Sequence, residues 1–148
     1  VLADANEYVA ATHAPRGIVN IATLTGSIVG ALDDQYAGLF ARDETLAAQL
    51  TKAGEASGER VWRMPLHPKY AERMKSDIAD IRNIAPSQGP GASLGAHFIG
   101  FFVDEKMPWA HIDIAGVNDA SGTPLVPKGQ SGFGVRLLDE LARTAEAK

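Results

Sequence analysis

Two side chains that often bind metal ions, His111 and Asp113, lie two residues apart within residues 109–116. This run alternates apolar and polar residues as a strand does, so both side chains would lie on the same face of a sheet. Two ligands are fewer than the three or four protein ligands that a zinc site uses. A buried polar pair in a strand more often hydrogen-bonds to neighbouring loops, and we expect that role for both residues.

Three further titratable residues are candidates for chemistry. Asp77 and Asp80 are three residues apart, and two carboxylates can bind a divalent cation or share acid and base roles. At helix ends and in loops such residues more often accept hydrogen bonds from backbone N–H groups. His97 lies among small and apolar residues, and we expect a core histidine whose hydrogen bonds are satisfied.

The tripeptide at residues 25–27 follows a predicted strand and begins a predicted helix, where backbone N–H groups attract anions. It lacks the Lys and the flanking glycines of a phosphate-binding P-loop, and Gly132 and Gly134 lack the third glycine of a dinucleotide-binding loop. No serine lies in an obvious strand-to-helix turn beside a candidate base, as a serine nucleophile would require. Nucleotide binding and serine hydrolysis are therefore not favoured.

The elements that would position these residues alternate between strands and helices. Strands are predicted at residues 18–22, 36–41, 61–64 and 109–116, and helices at residues 2–14, 27–32, 44–56, 68–74, 91–103 and 132–145, with an irregular segment at 76–88. This order predicts an α/β fold with a mixed, partly parallel sheet flanked by helices on both faces. Because such sheets bind ligands beyond the carboxyl ends of their strands, the loops at residues 23–26 and 115–118 are the expected site.

Two helices carry residue patterns that predict how they pack. In the final helix, the spacing of apolar residues predicts a stripe that faces the core, made of Val135, Leu138, Leu141 and Ala142. In the helix at 91–103, one side carries only glycine and alanine. We expect this side to permit close approach of a neighbouring backbone.

Composition excludes several classes of protein. The chain has 148 residues, 14 basic and 18 acidic side chains, a net charge of −4 and a hydrophobic content of 45%, which is typical of one globular domain. It has no cysteine, which excludes a disulfide scaffold and Cys-ligated zinc. No basic stripe and no long apolar run are present, so neither nucleic acid nor a membrane is an expected partner. A cytoplasmic location is expected, because the absence of cysteine fits a reducing compartment.

Five segments spread over nearly the whole chain carry more specific information. They are IATLTG at 21–26, RVWRMPL at 60–66, ADIRNI at 79–84, WAHIDIAG at 109–116 and KGQSG at 128–132. In this order and spacing they resemble the leucyl (cytosol) aminopeptidase family. The resemblance implies an α/β catalytic domain of a metallopeptidase, a hydrolase that uses two divalent metal ions, Zn or Mn, to release N-terminal, leucine-like amino acids from peptides.

The position of the first residue affects which family residues the chain can contain. In the family the hallmark Asn-Thr-Asp-Ala-Glu-Gly-Arg-Leu precedes a helix similar to residues 1–5 here. The family's metal-binding Lys, Asp and Glu and its catalytic Lys and Arg would lie upstream of Val1. The resemblance thus implies that residues 1–148 are the C-terminal portion of the catalytic domain, without catalytic or metal-binding residues. Alone, this portion is expected to bind no metal ion and to be inactive.

The resemblance assigns one side of a substrate pocket to the loop at residues 23–26. Thr23 and Gly26 match positions that line the pocket for the N-terminal side chain of the peptide. The carbonyl of Leu24 matches one that accepts a hydrogen bond from the N–H on the scissile side. These residues would bind and align the peptide, and would take no part in bond making.

The other side of the implied pocket comes from two later segments. Ile84 matches an apolar residue of the next subsite. Ala115 and Asn118 match the far side of the first pocket, where relatives often carry an apolar residue such as Met at the position of Asn118. All three would line the substrate and contribute no reacting group.

The resemblance also implies partners and leaves one alternative open. The family forms hexamers, so the full-length protein is expected to be a homo-oligomer that takes peptides as substrate. The alternative is a non-catalytic binding or assembly module that keeps the fold and has lost the metal site. The residues encoded before Val1 distinguish the two, because the hallmark Asp and Glu are required for an enzyme.

Overall fold

A computed structural model describes residues 1–84, 89–122 and 126–146. The helices are α1 (Leu2–His13), α2 (Gly26–Leu32), α3 (Glu44–Ser57), α4 (Pro68–Glu72), α5 (Gly91–Phe101) and α6 (Val135–Glu146). The strands are β1 (Ile18–Ala22), β2 (Ala37–Ala41), β3 (Val61–Arg63), β4 (Trp109–Asp113), β5 (Asp119–Ala120) and β6 (Gly129–Gln130). The helices that the structure describes are too short or too polar to cross a lipid bilayer.

All the predicted strands and helices are present, with shifted ends. The predicted strand at 109–116 ends at Asp113, and the predicted helix at 91–103 ends at Phe101. Within the segment predicted to be irregular, residues 76–84 form neither helix nor strand. Residues 85–88 of that segment lie outside the described residues. The short pair β5 and β6 was not predicted, because two-residue strands have no detectable periodicity.

The four longer strands form one sheet in the order β1-β4-β2-β3. β1 pairs with β4 and β2 pairs with β3 in parallel, whereas β2 and β4 are antiparallel. Helices α3 and α6 cover one face of the sheet, and α1, α2 and α5 cover the other, each with its own apolar cluster. The predicted mixed, partly parallel sheet with helices on both faces is confirmed.

Local signals explain the bounds of α3. The side chain of Asp43 accepts a hydrogen bond from the backbone N–H of Leu46 at 2.7 Å, as expected of an N-cap residue. The helix ends at Ser57, and the next residue, Gly58, has a φ of 75° in the left-handed region that glycine adopts without steric cost. Both signals lie within a few residues of the helix end they fix, and both were readable from the sequence.

Small residues on α5 allow the close packing that the sequence predicted. A Cβ atom at Gly95 would lie 3.0 Å from the Leu24 side chain, and one at Gly100 would lie 3.0 Å from the Trp109 ring. Glycine at both positions therefore lets α5 approach the loop after β1 and the start of β4. Phe101 lies at the end of the same helix and is 56% exposed.

The predicted core stripe of α6 is wrong at three of its four residues. Val135 is 71% exposed, Leu138 is 37% exposed and Ala142 is exposed, whereas Leu137 is completely buried. Leu137 packs against the sheet and α3, and Leu141, four residues later, is partly buried against the same cluster, as predicted. The rotation of α6 about its axis is set by its first turn. A residue distant in the sequence fixes that turn through hydrogen bonds.

That residue is Glu59, a buried acid between α3 and β3. Its Oε2 accepts hydrogen bonds from the backbone N–H groups of Gly134 and Leu137, both at 2.9 Å. Its Oε1 accepts one from Arg136 Nε at 3.2 Å. A carboxylate at the start of a helix binds unpaired backbone N–H groups and offsets the helix dipole. Glu59 therefore anchors the first turn of α6 and directs Leu137 into the core.

Glu59→Gln is expected to lower the free energy of unfolding by about 1–3 kcal/mol, because an amide NH₂ would face backbone donors that now bind a carboxylate oxygen. Urea unfolding of the purified protein measures this change. Glu55→Gln, at an exposed position on α3, is the matched control and should change stability by less than about 0.5 kcal/mol. Equal stability of the two variants would show that Glu59 does not anchor α6.

Candidate functional site

Asp113, the last residue of β4, is completely buried and binds both loops that follow β1 and β4. Its Oδ1 accepts hydrogen bonds from the N–H groups of Leu24 at 3.0 Å and Ala115 at 3.3 Å. Its Oδ2 accepts one from Thr25 Oγ1 at 2.7 Å. Because β1 and β4 are parallel neighbours, their carboxyl ends lie at the same edge of the sheet. One carboxylate thus holds the two loops together.

Thr25 extends this contact into α2. Its hydroxyl donates to Asp113 and accepts a hydrogen bond from the backbone N–H of Ile28 at 3.3 Å, so it also caps the helix. The N–H of Thr25 lies 3.4 Å from Asp113 Oδ1. In a trans peptide the C=O points opposite to the N–H, and no described peptide bond is cis. The Leu24 carbonyl, which shares that peptide, therefore points away from Asp113.

The turn after β4 is held from two sides. Gly116 lies against the carbonyl oxygen of Asp33 at the end of α2, so closely that a Cβ atom could not fit there. Ser131 donates its N–H to the carbonyl of Asn118 at 2.8 Å and its hydroxyl to the carbonyl of Val117 at 2.7 Å. The segment KGQSG at 128–132, which carries part of the family resemblance, therefore supports this turn.

The structure brings five of the six sequence-predicted pocket residues to one edge of the sheet. They are Thr23, Leu24 and Gly26 in the first loop and Ala115 and Asn118 in the second. Thr23 and Gly26 are exposed, and the other three are partly buried. A Cβ atom at Gly26 would meet no atom within 4 Å. The edge is therefore open at Gly26, and a ligand can approach the backbone there.

The sixth residue, Ile84, lies elsewhere in the described structure. Its side chain is 78% exposed. It lines a cavity formed by residues 76–84 with Phe98 and Phe102, and no residue of the two strand-end loops lines that cavity. The assignment of Ile84 to a neighbouring subsite stays a prediction.

His111 belongs to a buried polar chain that crosses from β4 to α1. Its Nδ1 lies 2.6 Å from Asn20 Oδ1 on β1, and Asn20 Nδ2 donates to Asn6 Oδ1 on α1 at 3.0 Å. The ring stacks on Phe40, with centroids 6.1 Å apart. Asn6 and Asn20 were not predicted from the sequence. An asparagine inside an otherwise apolar strand, as at Asn20, is the signal that could have found them.

The expected hydrogen bonding to neighbouring loops is confirmed for Asp113 and wrong for His111, whose Nδ1 contacts Asn20 on a strand and whose buried Nε2 has no partner among the described residues. Both oxygens of Asp113 accept hydrogen bonds from the protein, and His111 is completely buried. Across residues 1–84, 89–122 and 126–146, no group of three or more His, Asp and Glu side chains is placed to bind a metal ion. These residues therefore do not fit the two-metal centre that the family resemblance implies.

The other titratable candidates are not joined to this edge. Asp77 is 99% exposed and lies 3.8 Å from Arg82 Nη2, and Asp80 is exposed. His97 is only half-buried, and its buried Nε2 atom has no hydrogen-bond partner among the described residues. The expectation of a satisfied core histidine is therefore wrong, because α5 directs His97 towards a cavity and away from the core.

Burial lowers the pKa of His111 to about 4, against the opposing effects of Asp113 and Asn20. In an unfolded chain the pKa of histidine is about 6.5. Between the folded and the unfolded pKa, only the unfolded chain therefore binds this proton. Stability is therefore complete above about pH 6.5 and falls towards pH 4 by about 1.4 kcal/mol per unit. His111→Gln should remove this slope. Urea unfolding of both proteins from pH 4 to 7 measures it, and parallel curves would contradict the assignment.

Asp113→Asn should lower the free energy of unfolding by about 2–3 kcal/mol. The amide would present an NH₂ group to N–H and O–H donors whose hydrogen bonds the carboxylate now accepts. The change should also free the two loops, which amide hydrogen exchange at Leu24 and Ala115 would report. Asp139→Asn, which breaks an exposed ion pair with Arg143, is the control. Unchanged exchange at both amides would show that Asp113 does not hold the loops.

The chain is similar to proteins of one known family. The catalytic domain of the cytosol aminopeptidase family matches residues 1–139. The cytosol aminopeptidase of Rickettsia prowazekii (strain Madrid E) is 48% identical over 145 residues, which is 97% of this chain and 29% of that protein. The probable cytosol aminopeptidase of Rhodopseudomonas palustris (strain BisB18) is 49% identical over 144 residues, covering 95% of this chain and 28% of that protein.

Solved structures agree with the sequence matches. A mutant of tomato leucine aminopeptidase superposes with a TM-score of 0.85 at 44% identity, covering 95% of this chain and 26% of that chain. The bottromycin maturation enzyme BotP superposes with a TM-score of 0.90 at 34% identity, covering 99% of this chain and 33% of that chain. This chain thus spans under a third of the length of the relatives it matches. On this evidence, the chain belongs to the cytosol aminopeptidase family.

Proposed function

We propose that this chain is part of a two-metal aminopeptidase that releases leucine-like N-terminal amino acids from peptides, and that it supplies one wall of the substrate pocket. The observation that carries the proposal is the match of residues 1–139 to the catalytic domain of the family. The open edge that Asp113 organises supports it, because five of the six pocket residues predicted from the resemblance lie in the two loops held there.

The proposed contribution of the chain is to bind and orient the peptide. Asp113 fixes the peptide group between Leu24 and Thr25. The Leu24 carbonyl therefore points away from Asp113. A carbonyl with a fixed direction can accept a hydrogen bond from a substrate N–H at little entropic cost. Thr23, Gly26, Ala115 and Asn118 would surround the side chain of the N-terminal residue.

The metal chemistry of the enzyme would come from residues outside these 148. Two divalent ions, Zn or Mn, would supply an activated water and polarise the scissile carbonyl when bound. The described residues do not fit these ions, so the ligands are proposed to lie in the remainder of the catalytic domain. The chain alone is therefore proposed to be inactive.

We propose further that residues 1–148 are the C-terminal portion of that domain. Within the described part of the chain, β1 pairs only with β4, so one edge of β1 has no partner strand. Val19 and Ile21 are only partly buried although they pack on the apolar cluster under α3 and α6. A strand from the remainder of the domain would complete the backbone hydrogen bonds of β1 and cover these side chains.

The remaining proposals concern the complete protein. A peptide substrate, assembly as a homo-oligomer such as a hexamer, and a cytoplasmic location are supported by membership of the family, whose relatives are named cytosol aminopeptidases. Neither nucleic acid nor a membrane is proposed as a partner.

The complete protein should release leucine from leucyl peptides in the presence of Zn²⁺ or Mn²⁺ and lose this activity with a chelator. Gly26→Leu should lower kcat/KM by about 10-fold or more, because the new side chain would enter open space in the proposed pocket. Since a Cβ atom at Gly26 meets nothing within 4 Å, the melting temperature should not fall. Amino acid release and thermal unfolding measure the two effects.

Gly30→Leu is the matched control, because Gly30 lies one turn later on α2 and its Cβ atom would also meet nothing within 4 Å. It should leave kcat/KM unchanged. Equal activity of both variants would contradict the proposed pocket. A complete protein that shows no release under any metal condition would favour the non-catalytic module.

A further inference from the structure

A cavity of about 440 Å³ lies at the opposite end of the sheet from the strand-end loops. Arg42 lines this cavity and follows β2, and its backbone N–H donates to the carbonyl of Trp109, the first residue of β4, at 3.2 Å. Asp113 is the last residue of that strand, so the full length of β4 separates the cavity from the open edge. The cavity is therefore distinct from the proposed substrate pocket.

The wall of the cavity is mainly apolar, and its apolar side chains can be reached from outside. Phe101 at the end of α5 is 56% exposed, and Leu66 after β3 and Ile81 in the irregular segment are partly buried. Small-molecule sites are concave and mostly apolar, and a volume of about 440 Å³ is within their range. The cavity can therefore hold the apolar body of a small ligand.

The positive charge of Arg42 is already compensated by the protein. Its Nη2 donates to the carbonyls of Val103 at 3.1 Å and Asp104 at 3.3 Å, and its guanidinium lies 5.2 Å from the centre of the Trp109 ring. Burial lowers the pKa of Arg42, whereas the nearby carboxylates of Glu105 and Asp104 raise it. Because Arg42 and Glu105 offset each other, the charge preference of the cavity depends on its other lining residues.

Two further carboxylates and one ammonium group line the cavity. Glu72 on α4 and Asp80 in the irregular segment are exposed, as is Lys75. None of these three side chains forms an ion pair with a residue that the structure describes. Two carboxylates against one ammonium group give this lining a net negative charge, which attracts a cation and repels an anion.

We propose that this cavity binds a small apolar amine, with its apolar body against Leu66, Ile81 and Phe101 and its ammonium group on the side of Glu72 and Asp80. The face of the Phe101 ring also attracts a cation. Because both carboxylates are exposed, their attraction is modest. The apolar contacts therefore supply most of the affinity, and the carboxylates select an amine over a neutral or acidic compound of the same shape.

The test is binding to the complete protein, measured by isothermal titration calorimetry with three probes that share one apolar body. They are benzylamine, benzyl alcohol and benzoate. Benzylamine should bind most tightly and benzoate least tightly. Added salt should weaken benzylamine binding and leave benzyl alcohol binding unchanged, because salt screens exposed charges. Benzylamine that binds no more tightly than benzyl alcohol would overturn the proposal.

Charge variants test the two carboxylates directly. The double variant Glu72→Gln, Asp80→Asn should weaken benzylamine binding by about 3-fold or more and leave benzyl alcohol binding unchanged. Lys75→Met removes a repelling charge and should increase the preference for benzylamine over benzyl alcohol. The matched control is Glu55→Gln, Asp139→Asn, which removes two carboxylates from exposed positions outside the cavity lining. Equal benzylamine affinities of the two double variants would contradict the proposed role of Glu72 and Asp80.

Two more variants separate the cavity from the strand-end loops. Ala71→Trp fills the cavity from an exposed position on α4, so it should abolish the carboxylate-dependent binding of benzylamine at an unchanged melting temperature. Gly26→Leu alters the proposed substrate pocket and should leave that binding intact. Benzylamine binding that survives Ala71→Trp and is lost with Gly26→Leu would overturn the proposal. The proposed aminopeptidase activity would still stand, because amino acid release measures it separately.

Discussion

The hydrogen bonds of the Asp113 carboxylate are the constraint on which the open edge of the sheet depends. Three segments meet at this group: the loop after β1, the cap of α2 and the turn after β4. Each supplies a donor that would otherwise be buried without an acceptor, and the carboxylate would be buried without a counter-charge. The donors and the acceptor satisfy one another, and together they fix the positions of the two loops at this edge.

A second buried carboxylate fixes the start of a helix on the other face of the sheet. Glu59 binds the first turn of α6 as Asp113 binds the loop before α2. In both cases most of the donors are backbone N–H groups, so the charge is stabilised by fixed dipoles of the main chain. Such an arrangement defines position more strictly than an exposed ion pair, since backbone donors cannot change rotamer.

Features set by neighbouring residues were predictable from the sequence, and features set by distant residues were not. The cap at Asp43 and the end of α3 at Gly58 depend on local chemistry, and the five fully buried residues of β2 follow from its apolar composition. The face of α6 that enters the core depends on Glu59, which no periodicity within α6 reveals. The strand-end loops were predictable from where α/β sheets bind ligands. Their shared hydrogen bonds to Asp113 were not, because these contacts are seen only in the structure.

The parallel pairing of β1 with β4 has a consequence for how the chain acquires its shape. Leu24 and Asp113, which that pairing brings together, are 89 residues apart in the chain. Contacts this distant form slowly, because a long loop must close before they contribute stability. During synthesis, α3 and its flanking strands can assemble while the loop after β1 still lacks its acceptor. The open edge of the sheet is therefore among the last parts of the described structure to become ordered, and a ribosome paused before β4 would expose it unformed.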